Sequence, residues 1–318
     1  INYIGASRDA TVIKKTNTTT TSGSYDAVVF GESKTGFRIE NFTFYGNRVR
    51  DVNTGVVTVS TNGLQLRNCA YYDVINTKAY QTKYGYKLAP GNYTSSLQQA
   101  TAQQAQYYGF VLGTDGYTGA GSTSMVLRNT TSWGCGGGWL LEGCLYSQLL
   151  GCACDESDSG KRPGDPFLPS GSGGDYQNPS YIFCIVGSQG VVIEGPGMEN
   201  GWSKYLYCEG AQLTLNSPYI YNLNCNSTST YEFIRLAGTG TSNVSINNPW
   251  GFGSVNNNLT PGFARRAFVV DDPKVQRLNL VGRFRVNSSW GMTYQYPMSG
   301  LYSQNEIVAL DYTQSSMI

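Results

Sequence analysis

A ten-residue motif of alternating apolar residues, F-R-I-E-N-F-T-F-Y-G, begins at Phe37 and recurs along this 318-residue chain. Phe37 and Ile39 precede Asn41, and Phe42 and Phe44 follow it, each pair at alternating positions. Because strand side chains alternate between two faces, the spacing predicts two short strands joined by a one-residue corner. The apolar side chains of both strands then face the same side.

The motif returns in a constant phase. Aligned on Asn41, the predicted corner residues that follow are Asn68, Gln99, Asn129, Gly151, Gly195, Ser217, Asn248 and Gly282. Their spacing runs from 22 residues (Asn129 to Gly151) to 44 residues (Gly151 to Gly195). Most are Asn or Gly, the residues that best tolerate the left-handed backbone angles of a sharp corner.

A third apolar strand precedes each new copy and ends on Gly, as at 85–91, 109–113, 138–143, 182–187, 205–210 and 233–238. Three short strands per repeat predict an all-β, right-handed parallel β-helix, in which stacked coils bury one continuous core. The alternative, a Greek-key sandwich, requires antiparallel strands and hairpin turns, and the turn signals are not organised to support it.

Composition excludes several classes of protein. A net charge of +1 does not indicate nucleic-acid binding, which requires a strong excess of basic residues. No apolar run is long enough to predict membrane insertion. The absence of His excludes Ser-His-Asp and Cys-His catalysis, and no paired CxxC elements predict zinc. We therefore expect no metal and no cofactor. Cys152 and Cys154 alternate in an apolar strand, so we expect the eight cysteines to be reduced and buried rather than disulfide-bonded.

Residues 2–14 (N-Y-I-G-A-S-R-D-A-T-V-I-K) and 37–47 together resemble the opening coils of pectin-lyase-like β-helices, and among these the phage tailspikes that depolymerise capsule and O-antigen. The resemblance extends over residues 1–290 and implies a homotrimer in the virion tail, folded in the reducing host cytoplasm. Such families carry an N-terminal cap that this sequence does not show, so we expect a fragment. Residues 291–318 lose the motif and are expected to form a C-terminal cap or tail.

One outward column is the first candidate site. A column here means the equivalent residues of successive coils, which lie about 4.8 Å apart. The fourth residue after each corner gives Tyr45, Tyr72, Gln103, Trp133, Asp155, Glu199, Tyr221 and Phe252. Such aromatics suit either a strand surface buried in a trimer or a groove in which sugar faces pack on the rings.

Asp155 and Glu199 fall on adjacent coils of this column, which predicts carboxyl groups roughly 5 Å apart, or farther if splayed. Two close carboxylates raise the pKa of one of them, which separates an acid from a base or nucleophile. The pair is therefore our first choice for catalysis by glycoside hydrolysis.

A Gly-, Pro- and Ser-rich insertion follows Asp155 and brings Asp158, Lys161 and Arg162 beside the same column. The two cations are candidates for binding an anionic sugar, and the acidic residues are equally consistent with a solvated turn. The second-choice catalytic pair is Glu142 and Glu209, which lie two coils apart in a different column. Asp158 is a further second-choice catalytic residue.

The sequence thus predicts a tailspike-like protein that binds a bacterial surface polysaccharide and cleaves it as an endo-glycoside hydrolase. A polysaccharide lyase is an alternative, for which Lys161 and Arg162 are the candidate residues. A non-catalytic adhesin or structural fibre segment is the alternative from another class of protein.

Overall fold

The computed structural model describes residues 1–15, 26–46, 49–50, 57–58, 61–114, 121–155, 181–199, 204–221, 223–224, 231–238, 240–248, 255–256, 265–270 and 277–281. Within these ranges the chain is all-β. It forms three long sheets, called A, B and C, that it visits in this order in each coil. The predicted tail, 291–318, lies outside the described residues and stays a prediction.

Sheet A has ten described strands: Asn2–Ile4, Arg38–Glu40, Asp73–Ile75, Tyr93–Gln98, Thr123–Arg128, Gln148–Leu150, Val191–Glu194, Gln212–Asn216, Asn243–Asn247 and Arg277–Val281. Sheet B has eight: Val12–Lys14, Thr43–Tyr45, Lys78–Tyr80, Thr101–Gln103, Thr131–Trp133, Ala153–Asp155, Gly197–Glu199 and Tyr219–Tyr221. Sheet C has nine: Ala27–Glu32, Asn62–Arg67, Tyr86–Leu88, Tyr108–Gly113, Gly137–Glu142, Tyr181–Val186, Lys204–Glu209, Tyr231–Ala237 and Arg265–Val270.

Every strand pair within the three sheets is parallel, which confirms the predicted parallel β-helix and rules out the sandwich. Among the described strands, two short pairs lie outside these sheets: Val49–Arg50 with Val57–Thr58, antiparallel, and Leu223–Asn224 with Val255–Asn256, parallel.

The interior is a column of stacked side chains in register. On the inner face of sheet C, the rings of Tyr86, Phe110, Trp139 and Phe183 are neighbours in successive coils, with centroids 5.0, 5.6 and 5.0 Å apart. All four are fully buried. On sheet B the inward residues include Phe44, Ser132, Cys154, Met198 and Ile220, which are also buried.

The predicted corners have the expected backbone. Positive φ angles occur between sheets A and B at Asn41, Gln99, Asn129, Gly151, Gly195 and Ser217, and also at Asn248, which follows a sheet A strand. The glycines that end the sheet C strands also have positive φ. The choice of Asn and Gly at these positions therefore has a steric cause.

Replacing Gly151 by Ala should destabilise the fold by about 1–2 kcal/mol, the cost of a left-handed L-residue. Gly151 has a φ of +59°, and an added Cβ would lie 2.8 Å from Asn129 Oδ1. Urea unfolding measures the loss. Gly197→Ala is the matched control, because the Gly197 backbone is not left-handed and its Cβ would meet no described atom within 4 Å. Equal losses in both variants would contradict the corner argument.

Seven cysteines lie in the described part of the chain, and all are reduced thiols, six of them buried. Burial raises the pKa of Cys144 to about 12 and that of Cys152 and Cys184 to about 11, from an ordinary 9.0. Unfolded thiols then lose protons at lower pH than folded ones. The stability contribution is complete below pH 9.0 and is lost as pH rises through these higher values.

We therefore expect the urea midpoint to fall progressively above pH 9.0, and the buried thiols to react with DTNB at neutral pH only after unfolding. Rapid labelling of the six buried thiols in the native protein would contradict this packing.

Candidate functional site

The outward column of sheet B that ends each strand contains both first-choice carboxylates. Strand register aligns Lys14, Tyr45, Tyr80, Gln103, Trp133, Asp155, Glu199 and Tyr221 in successive coils. Asp155 is thus the direct neighbour of Glu199, and Trp133 is the direct neighbour of Asp155 on the other side.

Strand alternation accounts for the outward direction of these side chains. Cys154 and Met198, one position earlier in the same strands, are each 1% exposed and lie in the core. Trp133 and Asp155 are half-buried, and Glu199 is exposed. The indole and the Glu199 carboxylate therefore border solvent, whereas Oδ1 of Asp155 is buried.

Small residues lie beside the two carboxylates. Ala153 and Gly197 are the outward residues two positions before Asp155 and Glu199, and no atom of the described residues lies within 4 Å of where a Gly197 Cβ would be. Thr131 and Tyr219 are the neighbours of this pair in the adjacent coils. Among the described residues, small side chains therefore lie between larger ones next to the two carboxyl groups.

The prediction for Tyr72 is wrong. Tyr72 is 1% exposed and stacks on Phe37, with ring centroids 5.1 Å apart, so it cannot contact a ligand in this column. The alignment placed Asn68 at an A-to-B corner, whereas Asn68 follows a sheet C strand. The true corner is Asn76, which also has positive φ.

The residue that belongs in place of Tyr72 is Tyr80, and sequence reasoning missed it. A signal was present: D-V-I-N-T-K-A-Y at 73–80 repeats the pattern of R-I-E-N-F-T-F-Y at 38–45. The Tyr45 and Tyr80 rings lie 5.4 Å apart. The Tyr45 hydroxyl donates to Gln81 Oε1 at 2.8 Å, and Gln81 Nε2 donates to the Tyr80 hydroxyl at 3.2 Å.

Several predicted site residues cannot be placed. Asp158, Lys161, Arg162 and Phe252 lie outside the described residues. Tyr221 is placed in the column by its backbone register alone. The suggested roles of these residues remain predictions.

The second-choice pair lies on a different face. Glu142 and Glu209 belong to sheet C and are separated by Val186, as predicted. The Tyr207 hydroxyl donates to Glu209 Oε2 at 2.8 Å. Burial, and then the contact with Glu209, raises the pKa of Tyr207. Glu209 is therefore engaged by a neighbouring side chain.

In the described part of the chain, no cluster of three or more Cys, Asp or Glu side chains is arranged to hold a metal ion. No described helix has the length and hydropathy of a membrane span. The column itself places two carboxyl groups on adjacent strands beside an indole ring, side chains that can transfer protons or act as nucleophiles.

No family model and no curated protein sequence matches this chain. Solved structures do match. The gp42 tailspike of Acinetobacter phage vb_AbaP_AS12 has a TM-score of 0.50 at 15% identity, over 81% of this chain and 40% of its own. The enzymatically active domain of bacteriophage CBA120 tailspike protein 2 has a TM-score of 0.51 at 12% identity, over 80% and 38%.

The full-length tailspike protein 2 from an Escherichia coli O157:H7 bacteriophage has a TM-score of 0.50 at 13% identity, over 82% of this chain and 34% of its own. Likeness at these identities concerns the fold, so the chain has the parallel β-helix fold of phage tailspike proteins. It spans only about a third to two fifths of the length of these three structures.

Proposed function

We propose that this protein is a tailspike-like, receptor-binding β-helix that binds a bacterial surface polysaccharide and hydrolyses it internally. The observation that carries the proposal is the adjacency of Asp155 and Glu199 on the outward face of sheet B, beside Trp133 and the small residues Ala153 and Gly197. The tailspike fold of the chain agrees with this function.

In the proposed reaction, one carboxylic acid protonates the glycosidic oxygen as the bond to the anomeric carbon breaks. The other carboxylate either attacks that carbon or removes a proton from the attacking water. Adjacent parallel strands lie about 4.8 Å apart, which favours the short carboxyl separation of a retaining enzyme. The anomer formed first, followed by NMR, distinguishes retention from inversion.

The test is incubation with purified capsule and O-antigen polysaccharides. Hydrolysis releases reducing ends without a new ultraviolet absorbance, whereas a lyase also produces unsaturated sugars that absorb. Absorbing products would replace the proposal with elimination. Binding with neither signal would leave the adhesin, the alternative of a different class.

We also propose a homotrimer with the sheet B column open rather than buried between subunits. Light scattering should then give about three times the chain mass of 34.6 kDa. Trp133→Ala should not change that mass, because in this proposal the half-buried Trp133 ring faces the ligand rather than another subunit. Dissociation of the Trp133→Ala variant would identify the column as the interface and contradict its role in binding.

A further inference from the structure

Lysines lie over tyrosine rings in the early coils of sheet B. Lys14 Nζ is 4.8 Å from the centroid of the Tyr45 ring, and Lys78 Nζ is 5.2 Å from that of Tyr80. Both lysines are on the outward face: Lys14 is in register with Tyr45, and Lys78 is two residues before Tyr80. A ring face holds such an ammonium group by its quadrupole.

The same arrangement continues around the corner from sheet B to sheet C. Lys83 Nζ lies 5.9 Å from the Tyr84 centroid and 6.0 Å from the Tyr107 centroid. The two rings are themselves 5.4 Å apart. We call the outward residues of both parts the Lys–Tyr surface: Lys14, Tyr45, Lys78, Tyr80, Lys83 and Tyr84.

The ammonium groups of this surface are not neutralised by the described residues. Within the ranges that the structure describes, no carboxylate oxygen lies within 4.0 Å of Lys14, Lys78 or Lys83. Nearby cations are paired instead: Lys15 contacts Asp26, and Arg67 Nε lies 3.5 Å from Glu32 Oε1. The three lysines therefore present positive charge and ring faces together.

The Lys–Tyr surface joins the column of the two carboxylates. From Tyr80 to Asp155 there are three strand spacings, through Gln103 and Trp133, which is about 14 Å at 4.8 Å per strand. Positive charge thus lies at one end of the column, and negative charge at Asp155 and Glu199 lies at the other.

We propose that the Lys–Tyr surface binds the negatively charged sugars of an anionic polysaccharide whose chain runs along this column. An acidic group is attracted by the lysines and repelled by the carboxylates, so the two ends fix the position of the chain. Sugar rings pack on Tyr45 and Tyr80, while the Gln81 amide, already bonded to both, orients the hydroxyl groups. The inference rests on the proposed function and specifies its substrate class.

The test measures binding and does not require cleavage. Polygalacturonate, with one carboxylate per ring, is compared with neutral dextran in affinity electrophoresis of the whole protein. In about 0.01 M salt we expect polygalacturonate, but not dextran, to retard the protein. In about 1 M salt this retardation should disappear, because the Debye length falls from about 30 to about 3 Å. The triple variant Lys14→Met, Lys78→Met, Lys83→Met should bind roughly tenfold to hundredfold more weakly.

The matched control removes the same three charges elsewhere, with Lys34→Met, Arg128→Met and Arg277→Met on exposed positions away from the column. It should bind polygalacturonate like the unmodified protein, and thermal unfolding checks both variants. The proposal would be overturned if both triple variants bound polygalacturonate equally weakly, or if the variant of Lys14, Lys78 and Lys83 bound it as well as the unmodified protein. It would also be overturned if dextran retarded the unmodified protein equally, or if polygalacturonate did not retard it in low salt. An error in the catalytic pair would leave these results unchanged, so the two proposals fail separately.

Discussion

Asp155→Asn and Glu199→Gln are each expected to lower the rate of polysaccharide cleavage at least about 100-fold, the contribution of a positioned acid or base. Both substitutions keep side-chain shape and remove only the ability to exchange a proton or attack carbon. Both residues lie on the outward face of sheet B, so the core beneath them is not disturbed. Initial rates of reducing-end release give the measurement, and retained polysaccharide binding shows that the site is intact.

Glu194→Gln is the matched control for this pair. The substitution again replaces a carboxylate by an amide, but on sheet A. Glu194 is exposed there and accepts a hydrogen bond from Asn216 Nδ2 at 2.8 Å. We expect its cleavage rate to stay within about twofold, since an exposed contact contributes little. Full activity in both Asp155→Asn and Glu199→Gln would show that the site lies elsewhere, with Glu142 and Glu209 the next pair to replace.

Trp139→Ala should be the most destabilising single truncation, at about 3–5 kcal/mol. The Trp139 ring is fully buried between Phe110 and Phe183, with interplanar angles of 6° and 15°. Among the described residues no acceptor is within hydrogen-bond distance of Trp139 Nε1, so the loss is one of packing and burial. The midpoint of urea unfolding gives the change in the free energy of unfolding.

The substitution Trp133→Ala tests polysaccharide binding separately from the packing of the core. Trp133 is in the same coil, on the outward face of sheet B, and is half-buried. Its truncation should cost less than about 1.5 kcal/mol of stability, because fewer contacts are lost, and should weaken polysaccharide binding by about 1–3 kcal/mol. A larger loss of stability in Trp133→Ala than in Trp139→Ala would contradict the assignment of inner and outer faces.

The fold could be predicted from the sequence because each part of the repeat uses residue types that are required there for a simple physical reason. Alternating apolar residues determine which face is buried, and Asn or Gly marks each turn with positive φ, as at Asn129 and Gly151. From Gln99 onward, every described corner lies where the motif puts it. The neighbouring positions of Asp155 and Glu199 followed from this alone.

The second coil shows why the motif was insufficient there. L-Q-L-R-N-C ending at Cys69 has the same alternation and corner residue as a sheet A strand, but it belongs to sheet C. A parallel β-helix has three similar corners per coil, and their sequence signals overlap. Only the hydrogen-bonded register decides that Tyr80 continues from Tyr45 and that Tyr72 is buried.

The sequence by itself determined the β-helix, its buried faces and the carboxylate pair, because these depend on local alternation and on backbone angles that few residues tolerate. The tertiary structure alone decided that Lys78 and Lys83 lie over tyrosine rings, and that Tyr80 rather than Tyr72 continues the column from Tyr45. Contacts across sheets and around corners depend on side-chain directions and on the stacking of coils. Those are properties of the assembled helix, which the order of residues in one coil does not specify.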